Sequence, residues 1–199
     1  MVSSTIPSGG KYMECVDPIR DIGKINAMKK LLKKQSQRDL LFFVLGINTG
    51  IRVSDLLALK VCDVWDGTTC KEFLHLDDPK SEGEMSFYLN NSIRRELKQY
   101  LDNHELQQDD YLFKSKKNTK PITRQQAYRI INHAAKEVGI PGKIGTHTLR
   151  KTFGYHAYRK GIAISIIKSI FNHTTPTETL RYLGIKKEEN KPIKVDVNL

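Results

Sequence analysis

The chain has 199 residues, of which 33 are Lys or Arg and 22 are Asp or Glu, and its formal net charge is +11. Hydrophobic residues make up 39% of the sequence, which is enough to bury a core and excludes a wholly disordered chain. The positive charge, spread along the chain, indicates a polyanionic partner, with DNA or RNA first. A cationic protein without such a partner is the alternative.

The three cysteines, Cys15, Cys62 and Cys70, lack the paired spacing of a zinc site, and their odd number disfavours a disulfide framework. The longest apolar run, residues 40–45, is too short to span a bilayer, and the N-terminus lacks the pattern of a signal peptide. We therefore expect a cytoplasmic protein that does not enter a membrane.

Helical periodicity begins after a Ser-, Gly- and Pro-rich stretch over residues 1–17, which we interpret as a flexible arm. Apolar spacing predicts a helix from about residue 19 and a second over residues 36–48. The second is apolar nearly all round, as in a central core helix. Gly50 ends it, because glycine accepts the left-handed conformation, and Ser54 is predicted to cap a short helix that follows.

The middle of the chain changes character. Residues 61–65, 71–77 and 84–89 are predicted as three short strands, with turns between them. Helical stripes then return and continue to a short helix at about residues 176–183, and Thr123 is a predicted cap. The sequence thus predicts a mainly helical α+β domain with a small three-stranded antiparallel sheet over residues 18–185, followed by a tail over residues 186–199.

Polar residues able to hold a phosphodiester stand at short intervals. His147 and Arg150 are three apart at a helix start, so both side chains point to one face, and Thr146 can cap that helix. An arginine offers a planar fork to two phosphate oxygens. Arg52 follows a helix stop, and Asp55 is placed to brace its guanidinium. An ordinary amphipathic helix and a structural salt bridge are the respective alternatives.

A tyrosine near the end of the chain is a candidate nucleophile. Tyr182 lies nine residues after His173. A phenol titrates near pH 10, so it needs neighbouring positive charge and a base or strong acceptor before it can attack. Taken alone, each residue has a structural alternative: Tyr182 as a partly buried core residue and His173 as a helix end.

Taken in order, these elements resemble the tyrosine recombinases, also called phage integrases: Thr-Gly-x-Arg ending at Arg52, His-x-x-Arg ending at Arg150, then His173 and Tyr182. The resemblance covers residues 18–185 and implies the family's catalytic domain. It implies that Arg52 and Arg150 clamp the scissile phosphate, with Asp55 supporting Arg52. Tyr182 would attack phosphorus, leaving a 3′-phosphotyrosyl link and a free 5′-hydroxyl.

The resemblance also implies how protons move. His147 and His173 would bond the nonbridging oxygens and assist proton transfer. The family has a lysine on the turn of its small sheet, which acts as the acid for the leaving 5′-oxygen, and Lys80 matches that place. Two glutamates follow Lys80, although the family's turn is usually more basic, so a solvated turn lysine is the alternative. The role could also be shared with Lys60 or Lys71, neither of which is at a matching turn.

The implied function is that of a site-specific DNA recombinase or integrase, with double-stranded DNA as partner. We expect a homo-tetramer on DNA, a monomer when free, a tail that docks on a neighbouring protomer, and association with the nucleoid. No cofactor or metal is predicted, because the sequence has neither a two-metal carboxylate cluster nor a Gly-rich phosphate loop. A DNA-binding regulator that no longer recombines and a type IB topoisomerase-like enzyme remain as alternatives.

Overall fold

The computed structural model of the chain describes residues 16–77, 83–142 and 144–185. Over these ranges the chain forms two strands, β1 (Phe73–Asp77) and β2 (Glu84–Tyr88), and nine helices. The helices are α1 (Ile22–Gln35), α2 (Gln37–Thr49), α3 (Val53–Ala58), α4 (Val61–Val64), α5 (Asn91–Asp102), α6 (Arg124–Glu137), α7 (Thr146–Arg159), α8 (Ile164–Phe171) and α9 (Pro176–Leu183). The predicted mainly helical α+β fold is confirmed, whereas the tail and most of the arm lie outside the described residues.

Helix α2 is the centre of the molecule, as its composition predicts. Residues 40–45 are all buried, so the helix has no solvent-facing side over this stretch, and it packs against α1, α5 and α7. Ser36 caps its start, since the hydroxyl accepts the Asp39 N–H at 3.3 Å. Gly50 ends it in the left-handed conformation, with φ of 69°.

The sheet has two strands within the described residues, so the prediction of three strands is wrong. Strands β1 and β2 pair antiparallel, with Phe73 opposite Tyr88 and Asp77 opposite Glu84. Residues 61–65, predicted as a strand, instead contain helix α4. Val61 and Val64 are both buried, and their spacing of three residues is that of a helix face rather than of a strand.

Two helix starts also differ from their predictions. Helix α3 begins at Val53, so Ser54 lies inside it rather than at its cap. Helix α7 begins at Thr146, and Gly145 holds the cap position; the Gly145 N–H donates to the Thr148 hydroxyl at 3.1 Å. The predicted cap of α6, Thr123, is confirmed. No helix in the described part of the chain is long and apolar enough to cross a membrane.

Buried apolar residues form two groups of unequal size. The main core joins α1 to α6 with the sheet and with Leu149 of α7. A small cluster of four buried residues, Ile167, Phe171, Leu183 and Ile185, joins α8 to α9 and continues onto Phe153 of α7. Helix α7 therefore belongs to both groups and connects them.

Candidate active site

A cleft of about 260 Å³ opens where the corner after α2, the start of α7 and the α8–α9 connection meet. Five of the residues predicted to act on a phosphodiester line it: Arg52, His147, Arg150, His173 and Tyr182. Residues more than a hundred positions apart in the chain thus face one space. Lys80, the sixth predicted catalytic residue, lies outside the described residues, in the segment between β1 and β2.

The α2–α3 corner carries the first arginine and also anchors the second. The left-handed turn at Gly50 sends the chain out of α2, and two residues later Arg52 occupies the extended N-cap position of α3. A Cβ at Gly50 would overlap the ring of Phe153, so the corner can lie against α7 only because this residue is glycine. The Gly50 carbonyl accepts a hydrogen bond from the Arg150 guanidinium.

Arg150 is held from several sides. Its guanidinium also donates to the Ile170 carbonyl at 3.2 Å and lies 4.3 Å from the centre of the Phe171 ring, and the residue is only 7% exposed. Burial lowers the pKa of Arg150 to about 10, and the Tyr182 phenol opposes this shift. Arg150 remains charged at neutral pH, so the remaining donors of its fixed fork can bind an anion in the cleft.

Asp55 does not form the predicted brace. Its carboxylate accepts a hydrogen bond from Ser54 at 3.1 Å, and the ion pairs of the described residues include none between Asp55 and Arg52. Its charge acts instead on Arg150, where it raises the pKa of the guanidinium. The Asp55 charge thus favours the charged form of Arg150.

His147 lines the cleft at the first turn of α7. Partial removal from water lowers its pKa, and the charges of Arg124, Lys151 and Arg150 lower it further. The imidazole is therefore neutral at pH 7 in the free protein. A neutral ring both accepts and donates a hydrogen bond, and a phosphate entering the cleft would favour its protonation.

His173 is oriented by a buried hydroxyl. Its Nδ1 lies 3.1 Å from the Thr179 hydroxyl, and that hydroxyl donates to the Thr175 carbonyl at 3.3 Å. Because the Thr179 hydroxyl donates to that carbonyl, its oxygen can accept a hydrogen bond from His173 Nδ1–H. The left-handed residue Asn172, with φ of 54°, forms the turn that brings His173 out of α8.

Tyr182 is half-buried in a group of rings. Its ring stands edge-on to His173 at 5.1 Å and to Phe171 at 5.4 Å between centroids, a favourable arrangement for aromatic side chains. The Lys151 ammonium lies 4.9 Å from the centre of the same ring. The phenol therefore lies in a positively charged surrounding, as a tyrosine nucleophile requires.

Three residues of the site region have no predicted catalytic role. Arg124, at the start of α6, lines the cleft, and in the sequence it directly follows the predicted cap Thr123. Lys151 directly follows Arg150, and no sequence pattern distinguishes it. Glu178 accepts the N–H and hydroxyl of Thr174 at 2.8 and 2.9 Å, which lowers the pKa of its carboxyl. Its signal in the sequence is Thr-x-x-Glu at a helix start.

The charge of the cleft is mainly positive. Among the described residues that line it, Glu178 is the only acidic one. The described residues also contain no group of three or more His, Cys, Asp or Glu side chains arranged to hold a metal ion.

The chain is similar in sequence to known proteins. The sequence model of the phage integrase family matches residues 20–189. The probable integrase/recombinase YoeC of Bacillus subtilis (strain 168) is 39% identical over 179 residues, which are 90% of this chain and 95% of that protein. The tyrosine recombinase XerA of Pyrococcus furiosus is 27% identical over 178 residues, which are 88% of this chain but 60% of that protein.

Solved structures share the fold. The crystal structure of XerA recombinase superposes with a TM-score of 0.71 at 22% identity, over 92% of this chain and 63% of that one. The Tn1549 transposon integrase, solved in complex with a circular intermediate DNA, gives a TM-score of 0.67 at 18% identity over 86% of this chain and 62% of that one. From the family match and the YoeC relative, we conclude that this chain belongs to the phage integrase family of tyrosine recombinases.

Proposed function

We propose that this chain is a site-specific DNA recombinase that cuts and rejoins DNA strands through Tyr182. One observation carries the proposal: two guanidinium groups, two imidazoles and a phenol line a single cleft of about 260 Å³. Phosphoryl transfer in such a site depends on positioning and on stabilising the charge of the pentavalent transition state. Arg52 and Arg150 supply that charge, and His147 and His173 supply exchangeable protons.

The reaction runs in two balanced steps. The Tyr182 oxygen gives up its proton and attacks the scissile phosphorus, and the bond from phosphorus to the 5′-oxygen breaks. The 3′ end becomes a phosphotyrosine, and the 5′-oxygen takes a proton to leave as a hydroxyl. In the second step a 5′-hydroxyl, from the same or another strand, attacks the phosphotyrosine and releases Tyr182. Lys80 is our proposed donor of the proton to the leaving oxygen.

Double-stranded DNA is the proposed substrate. Besides Arg124, which lines the cleft, α6 and the preceding loop carry further exposed basic side chains: Lys116, Lys117, Lys120 and Arg129. For each phosphate that such groups neutralise, the slope of log K for DNA binding against log salt concentration becomes more negative by roughly 0.9. We expect affinity to fall steeply from low to physiological salt, and a flat response would contradict phosphate-dominated binding. Strand exchange between two duplexes cuts four strands and requires four active sites. We therefore propose that the protein is a monomer in solution and assembles into a homo-tetramer on DNA.

A nicked DNA substrate tests the nucleophile, because loss of the short 5′ fragment traps the covalent adduct. Wild type should accumulate an adduct that survives denaturation, and Tyr182→Phe should form none. Tyr88→Phe is the matched control, since it removes the same atom from an exposed tyrosine on β2. An adduct formed by Tyr182→Phe would refute the assignment. EDTA should leave the rate unchanged, because the side chains named above supply the positive charge.

Adduct trapping tests the first alternative, and a supercoil-relaxation assay tests the second. A regulator that has lost recombination would bind DNA and form no adduct. A type IB topoisomerase-like enzyme would relax supercoiled DNA of any sequence and would exchange no strands between duplexes. The relatives that are named recombinases favour exchange over both.

A further inference from the structure

Lys151 is the one lysine among the buried charged residues of the described chain, at 6% exposure. An ammonium group loses hydration when it is buried, so a lysine is retained inside a protein only where its charge interacts favourably. Its position on α7, directly after Arg150, places it beside the small cluster rather than inside the main core. The reaction outlined above assigns it no role.

Lys151 contacts the nucleophile. Its Nζ lies 4.9 Å from the centre of the Tyr182 ring, within the range of a cation–π interaction. The rings of Phe171 and His173 meet the same phenol edge-on, at 5.4 and 5.1 Å. A neutral phenol gains from this contact, but a phenolate gains more, because part of its negative charge is spread over the ring.

Other charged groups also face Tyr182, and each contributes to its environment. They come from the α2–α3 corner, α6, α7, the α8–α9 turn and α9 itself, and they are Arg52, Arg124, His147, Arg150, His173 and Glu178. Arg150 also interacts electrostatically with the phenol, since Tyr182 raises the pKa of the Arg150 guanidinium. The Arg150 guanidinium donates to the Gly50 and Ile170 carbonyls and faces the proposed phosphate site. Lys151 instead places its positive charge against the Tyr182 ring.

We propose that Lys151 is a positioning residue for Tyr182: its buried ammonium holds the phenol ring against α7 and favours the phenolate that attacks phosphorus. This inference rests on the proposed role of Tyr182 as nucleophile. A cation within a few ångströms of an ionising group shifts its titration by about one unit or more toward the charged form, and the Lys151 ammonium lies 4.9 Å from the centre of the ring that carries the phenol. Lys151 therefore acts on how readily the nucleophile ionises rather than on how tightly DNA binds.

The first test measures adduct formation on nicked DNA as a function of pH. Lys151→Met keeps the length and apolar stem of the side chain but removes its charge. We expect its pH–rate profile to be displaced by about one unit to higher pH, so that it is about tenfold slower at pH 7 and reaches the wild-type rate only where both phenols are ionised. Lys151→Arg, which keeps the charge, should stay within about threefold of wild type. DNA affinity, measured in a Tyr182→Phe background, should be unchanged by Lys151→Met.

Lys160→Met is the matched control, because it removes a lysine from the exposed end of the same helix. It should leave the pH profile unchanged. A Lys151→Met profile that superposes on that of wild type, or one with an unchanged midpoint and a lower plateau at high pH, would overturn the inference. If Lys151→Met does not fold, Lys151→Gln provides a second neutral side chain for the same comparison.

A second test requires no DNA cleavage and so separates the two proposals. With [13Cζ]-tyrosine labelling, the Tyr182 signal is assigned by its absence in Tyr182→Phe and followed from pH 7 to 12. The midpoint should be about one pH unit higher in Lys151→Met than in wild type. Unchanged midpoints would refute the role of Lys151 even if Tyr182 is the nucleophile. A shifted midpoint in a protein that forms no adduct would refute the proposed function alone.

Discussion

The main core and the small cluster differ in size and in the catalytic groups that they hold. The main core surrounds α2 and positions Arg52 and, through the Gly50 carbonyl, Arg150. The small cluster has four fully buried residues on and beside two helices of eight residues each, and it carries His173 and Tyr182. The groups that hold phosphate therefore rest on the larger core, whereas the nucleophile rests on the smaller one.

This division indicates different local stabilities. Helices of eight residues do not persist alone in water, so α8 and α9 depend on their contacts with each other and with α7. Regions with few buried apolar contacts open at lower free energy than the centre of a domain. We therefore expect α8 and α9 to open more readily than the main core, and α7, with Arg150, connects the two regions.

Loss of that connection should give the largest effect. In Arg150→Lys, an ammonium cannot reproduce the bonds to both carbonyls and also fork to a phosphate, so transition-state stabilisation should fall by about 3 kcal/mol or more. Adduct formation on nicked DNA should slow by at least about a hundredfold. Arg159→Lys, at the exposed end of α7, is the control. A loss of less than tenfold would mean that Arg150 does not hold the reacting phosphate.

A pair of glycine substitutions separates the two regions. A Cβ at Gly154 would lie 2.6 Å from Cζ of Phe171 and 2.7 Å from Cδ2 of Leu183, both in the small cluster. A Cβ at Gly46 would lie 2.7 Å from Cδ1 of Leu149, in the main core. Each alanine should cost about 1–3 kcal/mol of stability through overpacking.

Amide hydrogen exchange shows which helices each alanine substitution destabilises. Gly154→Ala should speed exchange mainly in α8 and α9 and slow adduct formation by roughly tenfold, since about 1.4 kcal/mol corresponds to that factor. Gly46→Ala should lower the global free energy of unfolding without a selective effect on α8 and α9. Identical exchange patterns in the two variants would show that the molecule opens as one unit.

The end of α9 has a smaller anchor. The Arg20 guanidinium donates to the Gly184 carbonyl at 2.8 Å and lies 5.0 Å from the centre of the Tyr155 ring. Arg20→Met should cost about 1 kcal/mol, and exchange should quicken at the last turn of α9 but not in α2. Arg159→Met serves as a control for the lost charge. Uniform destabilisation would argue against a local anchor.

The pH dependence of DNA binding should show the smallest effect. Burial lowers the pKa of His147 in the free protein, and the negative charge of a bound phosphate would raise it again. Binding then takes up a proton, so affinity should increase a few-fold as pH falls from 8 to 6, with the sign set by proton uptake. His147→Gln in a Tyr182→Phe background should flatten this response. An unchanged slope would mean that His147 does not meet the phosphate.

Local sequence signals predicted much of the fold. The apolar composition of α2, the glycine stop at Gly50 and the cap at Thr123 are properties of neighbouring residues, and all three predictions are confirmed. The strand predicted over residues 61–65 was wrong because β-branched valines favour strands in isolation. Tertiary packing buried Val61 and Val64 together, and the Asp63 carboxylate, which accepts the Lys60 N–H at 2.7 Å, stabilised a helical turn.

The family and the identities of the five cleft residues could be predicted from the sequence alone, because the motifs keep their order and spacing along the chain. The tertiary structure alone decided which side chains surround them. Gly50 and Arg150 are a hundred residues apart, yet the Arg150 guanidinium donates a hydrogen bond to the Gly50 carbonyl. Asp55 favours the charged form of Arg150 instead of forming the predicted contact, and Lys151 lies against Tyr182 without any sequence signal. Such contacts depend on how helices pack, which local sequence does not encode.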